Sequence, residues 1–413
     1  MSREPDCRPM GAPSRPARAG LLGRRPLVSL VLDWYHPEIH AGVVRAARDF
    51  GWNLDDDRCQ GHHGKFLPQD VVPDGILATT ATDLVSAWVS QVAAPVVRML
   101  DDSAPATMGL PPDPIPTVVP SFSDAGVLAA RHLLSLGIPN FAYYRFYQPR
   151  NANAVFPAFM ATCRAAGVEP LILDHPQANA GLPHSQWHPR PWRLDWLRHE
   201  LARLPLPCAV MADDDRFAAE VVLMAGELGL RVPEDLAVLG VMDLTLVHQR
   251  LPVSLSSIHV NLEWVGYEAG CLLERRLRGE TVPRDVRVPV RSLIERQSTA
   301  TYVCDDPRIS KTVLRIRRDY SEPLTLPMLA REAGMSVRAL QRAYANLGGN
   351  TIREAMMERR LDAAAALLRD TELKLESVAW ECGLGNATNL CRQFKKRSGC
   401  TPNGWRQKQR AVG

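Results

Sequence analysis

Over its first 300 residues the chain repeats one pattern, a short apolar run followed by a segment with apolar positions at helical spacing. Leu27 to Leu32 (LVSLVL) predicts a strand, and His40 to Phe50 predicts a helix with Val43, Val44, Ala47 and Phe50 near one face. The pattern returns in Gly75 to Thr79, Pro95 to Leu100, a helix over 125–136 ended by Gly137, and Phe141 to Tyr144. It continues with a helix over 159–166 ended by Gly167, Pro170 to Leu173, Cys208 to Met211, a helix over 216–228 ended by Gly229, and Leu236 to Val241. Strand and helix in alternation, with glycine at the helix ends, predict parallel doubly wound sheets. Such sheets bind ligands beyond the C-terminal ends of their strands.

Past residue 308 the pattern becomes helical throughout. Residues 326–344 read as a helix-turn-helix: small Ala330 lets two helices cross closely, Gly334 permits a left-handed turn, and Ser336 caps the next helix. Leu340 and Tyr344 then face a core, leaving Val337, Arg338, Gln341 and Arg342 outside. A second copy starts 49 residues later at Leu375, where Ala379 and Gly383 repeat the spacing of Ala330 and Gly334, and Leu390 and Phe394 that of Leu340 and Tyr344. One such motif is a common helix pair; two at this separation are specific. Between them, 351–369 predicts a long helix with Ile352, Ala355, Met356, Leu361, Ala364, Ala365 and Leu368 toward the cores, a rigid spacer. Pro402 suits the start of a closing helix.

Charge sharpens this division. The net charge of +4 conceals three parts: residues 1–26 hold six Arg against Glu4 and Asp6 (+4), residues 27–307 hold 23 basic against 33 acidic residues (−10), and residues 308–413 hold 20 against 10 (+10). A basic helical block on an acidic α/β body points to a polyanion partner for the block alone. Residues 1–26, rich in Arg and Pro and without an apolar secretory core, read as a disordered basic arm. No apolar run approaches the roughly 18 to 20 residues that span a bilayer, so no membrane partner is expected. The nine cysteines, an odd number without a CxxC pair, read as reduced thiols of a cytoplasmic protein.

Enzymatic chemistry finds no support in the motifs. The chain has no Gly-x-Ser-x-Gly, no phosphate loop and no GxGxxG after a strand, so no catalytic residue is assigned. His36, Glu38 and His40, or Cys59 with His62 and His63, match no standard zinc spacing, and no metal or cofactor is expected. Cys382, Cys391 and Cys400 recur every nine residues, which on a helix does not converge them.

Two resemblances add to this reading. The stretch from Ser123 to Tyr144 (SDAGVLAARHLLSLGIPNFAYY), the stretch from Gly229 to Val241 (GLRVPEDLAVLGV) and the run Val253 to Ile258 resemble the effector domain of the lactose- and galactose-repressor family, which shares its fold with periplasmic sugar-binding proteins. The resemblance covers about 27–298 and implies two α/β lobes closing on a sugar. Under it, Asp33 and Trp34 with Tyr35, then Asp214 and Asp215, then Asp243 fall at strand ends, where carboxylates accept from sugar hydroxyls and aromatics stack on the ring. The chain departs from that family in lacking an Arg near Val155, in having Met242-Asp243 after the glycine strand, and in reading Tyr35-His36-Pro37-Glu38 early on.

The block from 308 to 408, including Arg360-Leu361 to Leu368 between its two motifs, resembles the DNA-binding domain of the arabinose-operon activator (AraC) family. Position by position, that resemblance implies base reading by Arg338, Gln341 and Arg342 from the first unit and by Thr388, Asn389 and Arg392 from the second. Lys395 and Lys396, with Arg397, Arg359 and Arg406, fall toward phosphates. The expected fold is an α/β two-lobed periplasmic-binding-protein-like sensor at 27–300 followed by an all-α double helix-turn-helix domain at 308–408. The expected function is a sugar-responsive activator that binds operator or promoter half-sites in double-stranded DNA, takes an aldose such as xylose, engages RNA polymerase and forms a homodimer. The competing expectation is a sugar-binding or sugar-modifying enzyme domain with incidental DNA binding.

Overall fold

The computed structural model describes residues 24–32, 35–56, 72–79, 85, 88–89, 91–100, 115–146, 154–175, 190–248, 250–304, 306–347 and 351–412. These fall into two compact units, one of residues up to 133 together with 140–298, the other of 299–412 with Leu134–Pro139. Among the described residues, no helix is long and apolar enough to cross a membrane.

The first unit is α/β. Its strands are β1 (Leu27–Val31), β2 (Asn53–Asp55), β3 (Gly75–Thr79), β4 (Val96–Met99), β5 (Thr117–Pro120), β6 (Asn140–Arg145), β7 (Leu171–Asp174), β8 (Cys208–Ala212), β9 (Leu236–Val241), β10 (Ser256–His259), β11 (Asp285–Val288) and β12 (Ser292–Ile294). Interleaved with them are α1 (Pro37–Phe50), α2 (Phe122–Leu134), α3 (Val155–Ala165), α4 (Arg190–Leu201), α5 (Asp215–Glu227), α6 (Thr245–His248) and α7 (Leu262–Leu277). One sheet runs β11-β5-β4-β3-β1-β2, every pair parallel. The other runs β12-β10-β9-β8-β6-β7, parallel except for β12 against β10. The chain passes between the sheets after β5, after β10 and after β11, so two lobes share one unit. Strands β3, β4, β8 and β9 are buried along their whole length, which is why they read as continuous apolar runs.

Several elements differ from the pattern-based expectation. Helix α3 begins at Val155 rather than Phe159, because Pro157 falls in its first turn, where no intrahelical N–H is needed. Strand β5 lies between Pro116 and Pro120, residues that mask a strand signal. Helix α4 buries only Leu197 and Leu201 of its twelve residues, leaving no apolar stripe to detect.

The second unit is helical: α8 (Pro307–Arg318), α9 (Leu326–Glu332), α10 (Val337–Ala345), α11 (Ile352–Asp370), α12 (Leu375–Glu381), α13 (Ala387–Ser398) and α14 (Pro402–Val412). It has two separate cores. Ile309, Val313 and Ile316 pack with Leu329, Ala330, Leu340, Ile352 and Met356 in one. Leu361, Ala364 and Leu368 pack with Val378, Ala379, Cys382, Leu390 and Phe394 in the other. Helix α11 thus supplies its N-terminal half to the first core and its C-terminal half to the second. A capping box fixes its start, Thr351 accepting from the Glu354 amide at 3.2 Å while the Glu354 carboxylate accepts from the Thr351 amide at 2.8 Å. Val337, expected outside, packs half-buried against the first core. Cys382 is buried and its thiol is pushed up to about 11 by that burial, with Glu381 adding to it. An unreactive packing thiol is the consequence.

Candidate effector site and nucleic-acid interface

In the α/β unit, polar side chains gather where β1, β8 and β9 end. Three aspartates follow β8, each bound differently. Asp213 accepts from the Tyr143 hydroxyl at 2.9 Å and from the Phe146 amide at 2.7 Å. Asp214 caps α5, accepting from the Arg216 amide at 2.8 Å, and holds the Arg216 guanidinium at 2.5 Å. Asp215 has no exposed surface; its Oδ1 accepts from the Ser257 hydroxyl and its Oδ2 from the Leu244 amide, both at 2.6 Å. Burial holds the Asp215 pKa well above the ordinary carboxylate value, against those two hydrogen bonds. Gly240 makes the room for it, since a Cβ there would lie 2.1 Å from Asp215 Oδ1.

The turn after β9 is strained. Met242 and Asp243 have φ of 102° and 56°, in the left-handed region that non-glycine residues avoid. Hydrogen bonds hold it in place. The Asp243 amide donates to Ser257 Oγ at 3.0 Å, and its carboxylate meets Arg296 Nη2 at 2.7 Å and His248 Nε2 at 2.9 Å. Burial raises the Asp243 pKa, but the His248 and Arg296 hydrogen bonds outweigh it and leave the group below its ordinary value. Asp243 therefore stays ionised at neutral pH.

From the other sheet, His36 follows β1 and is 3% exposed. Burial first, and the Arg216 charge second, lower its pKa to about 4 against the opposing pull of Asp214, so the imidazole is neutral at pH 7. Glu38, in the first turn of α1, is held above the usual carboxylate range by burial and then by Asp243, with Arg291 pulling the other way. Its Oε2 has no hydrogen-bond partner among the described residues, and its Oε1 lies 4.0 Å from His259 Nε2. These mutual influences put the end of β1 within electrostatic reach of the ends of β8 and β9, a strand-end cluster of donors and acceptors of the kind that grips a small polyhydroxylated ligand.

Asp214, Asp215 and Asp243, expected from the sequence, are thus brought together, while Asp33 and Trp34 lie outside the described residues. His36, Glu38, His248 and Arg296 were not singled out as effector contacts. Arg296 meets Asp243 across 53 positions of the chain, which no local spacing announces, and His248 reaches it from the next turn of chain, α6. Among the described residues, no group of three or more His, Cys, Asp or Glu is arranged to hold a metal ion.

The helical unit shows the opposite disposition. Thr325 caps α9 and Ser336 caps α10, whose exposed face carries Arg338, Gln341 and Arg342. Asn386 caps α13, whose exposed face carries Thr388, Arg392, Lys395 and Lys396, with Asn389 half-buried. Gly383 forms the turn before α13 at φ 68°, with the Ser321 carbonyl 2.5 Å from where a Cβ would stand. The side chains of Arg338, Gln341, Arg342, Thr388, Lys395 and Lys396 make no hydrogen bond or ion pair with another described residue. Three other arginines are committed to partners within the unit. Arg397 pairs with Asp362 at 2.5 Å, Arg406 donates to the carbonyls of Leu368 and Leu373, and Arg359 donates to the Arg317 carbonyl and lies over the Tyr320 ring. Exposed unpaired cations on capped, solvent-facing helices can meet phosphate and base edges.

Known proteins share both halves of this arrangement. Residues 130–299 match the periplasmic binding protein-like domain and residues 329–408 match a helix-turn-helix domain. The xylose operon regulatory protein of Escherichia coli (strain K12) is 25% identical over 350 residues, covering 82% of this chain and 85% of the relative. The chain is thus similar to the xylose operon regulatory proteins along most of its length. A solved structure described as a xylose-binding transcription activator superposes with a TM-score of 0.57 at 21% identity, covering 93% of this chain and 98% of its own. A transcriptional regulator in complex with cellobiose superposes with a TM-score of 0.50 at 22% identity, over 67% of this chain and 87% of its own. The chain thus combines a periplasmic binding protein-like α/β part with a helix-turn-helix part that follows it.

Proposed function

We propose that the protein is a cytoplasmic regulator that activates carbohydrate-catabolism genes when an aldose such as xylose binds at the strand-end cluster. It acts by binding rather than by catalysis. The observation that carries this reading is the exposed, unpaired set Arg338, Gln341, Arg342, Thr388, Lys395 and Lys396 on two helices whose cores share α11. The functional domains run over 27–300 and 308–408. Arg338, Gln341, Arg342, Thr388 and Arg392 face base edges, and Lys395 and Lys396 face phosphates. Asp214 and Asp243, with the sequence-expected Asp33 and Trp34, are the effector contacts, whereas Asp215, expected among them, is fully enclosed with both oxygens engaged and holds the frame of the site instead. His36 and Glu38 complete it from the other lobe. A homodimer on paired half-sites and a contact with RNA polymerase follow from activation at a promoter.

A thermal-shift screen of aldoses on the full chain tests the effector half. The expected hit stabilises by about 2.7 kcal/mol at 100 times its dissociation constant. No stabilisation by any aldose, or a hit that survives Asp243→Ala undiminished, would reject it.

A further inference from the structure

The two reader helices treat their polar side chains differently. On α10, Arg338, Gln341 and Arg342 stand exposed without a hydrogen bond to another described residue. On α13, both ends of the Asn389 amide are in use. Its Nδ2 donates to the Leu384 carbonyl at 2.9 Å, and its Oδ1 accepts from Arg392 Nη2 at 3.1 Å. The Asn389 backbone amide also donates to the capping Asn386 Oδ1 at 2.9 Å.

An asparagine that reads adenine needs both ends of its amide, Oδ1 for the N6 amino group and Nδ2 for N7. The half-buried Asn389 amide is already anchored at both ends, on the Leu384 carbonyl and on Arg392, so its plane is set by the protein and turning its remaining N–H and lone pair to an adenine edge would mean giving up those anchors. Arg392 does have donors to spare. Of its five N–H groups one is used on Asn389, and the rest of the fork remains for guanine O6 and N7. The anchor at the far end is firm, because Leu384 is buried in the second core and its carbonyl also accepts the Asn386 amide at 3.0 Å. The chain of contacts from the core through Leu384 and Asn389 fixes the direction of the Arg392 guanidinium before DNA arrives.

We propose that Asn389 reads no base and is instead a positioning residue for Arg392. Helix α13 then offers one preorganised guanine-reading fork, where α10 offers three unrestrained side chains. This rests on α13 being a recognition helix, as proposed above. Preorganisation lowers the rotamer entropy lost on binding, so the second unit sets a sharp preference at one base pair. The alternative, in which Asn389 lets go of both partners and takes adenine itself, predicts a preference at a different base pair.

The test selects bound duplexes from a random-sequence DNA library with the full-length chain, then sequences them, for the wild type, Arg392→Ala, Asn389→Ala, Asn389→Asp and the Asn389→Ala/Arg392→Ala double variant. Arg392→Ala is expected to flatten a guanine preference at one base pair by roughly 10-fold. Asn389→Ala should weaken the preference at that same base pair and at no other, and the double variant should match Arg392→Ala. Asn389→Asp keeps an acceptor for Arg392 but gives up the donor to the Leu384 carbonyl, so it should recover part of the preference that Asn389→Ala loses, at an overall affinity reduced by the added negative charge beside phosphate. Thermal unfolding of each variant separates lost positioning from lost fold. Loss of an adenine preference at a separate base pair, additive effects in the double variant, or an Asn389→Asp preference no better than that of Asn389→Ala in a normally folded protein would overturn the proposal. If Arg392→Ala changes nothing while Arg338→Ala still flattens a preference, Arg392 is not the reader and the proposal falls alone. Failure of every variant, and of the wild type, to show any preference would remove the DNA-reading proposal itself.

Discussion

At the strand ends of the α/β unit, charged side chains are spent on one another, whereas on α10 and α13 most of them stand in water without partners. Asp215 has both oxygens occupied and no exposed surface; Arg338 has five donors and nothing described to give them to. The contrast reflects two binding problems. A small neutral ligand is gripped by a pocket whose dipoles are fixed in advance, because every buried polar group left unsatisfied costs about 1 to 3 kcal/mol. A polyanion is met by exposed cations that lose counterions on docking, and it needs little internal organisation.

Substitutions can break this contrast in order of effect. Gly240→Ala drives a methyl into the Asp215 carboxylate, and Asp215→Ala strands the Ser257 hydroxyl and the Leu244 amide. Each is expected to cost about 3 kcal/mol of stability in chemical denaturation of the full chain while leaving salt-dependent DNA contacts in place. Unchanged midpoints would show that the network is not structural.

Acid should act on the α/β unit through His36. Its folded pKa, about 4, lies below the roughly 6.5 of an unfolded chain, so the folded state favours the neutral ring. That contribution is complete above pH 6.5 and is lost as pH falls toward 4, by about 3 kcal/mol over the window. His36→Asn should flatten the decline between pH 6.5 and 4, and an identical decline in the variant would place the acid sensitivity elsewhere.

On the helical side, Arg338→Ala should weaken specific DNA binding by about 1 to 3 kcal/mol with no shift in thermal midpoint. The smallest effect is expected from Lys395→Ala, a fall of about one in the slope of log affinity against log salt, uniform across sequences. A stability loss from either, read by thermal unfolding, would mean that these side chains hold the fold.

The sequence made the helical unit more legible than the strand-end cluster, for physical reasons. Ala330 and Gly334, then Ala379 and Gly383, are local signals that repeat, and α11 shows its double allegiance in the spacing from Ile352 to Leu368. The strands themselves were likewise written in apolar runs such as Cys208 to Met211, though not their order in the sheets. The strand-end cluster is assembled instead from positions far apart: Asp243 finds Arg296, and His36 feels Arg216, only once the lobes fold. Residue type alone could not show that Asp215 is fully enclosed, nor that Asn389 is tied to Leu384 and Arg392. In both cases the chemistry expected of the side chain depends on which neighbours have already claimed its hydrogen bonds.

The most direct measurement is the affinity of the full-length chain for the DNA upstream of its own gene, at two salt concentrations, with the Arg338→Ala/Arg342→Ala/Arg392→Ala variant alongside. Nanomolar-range binding that weakens steeply with salt, and that the variant loses without unfolding, is the result expected. Binding indifferent to salt, or equal in the variant, would contradict the assignment of α10 and α13 as the reading helices.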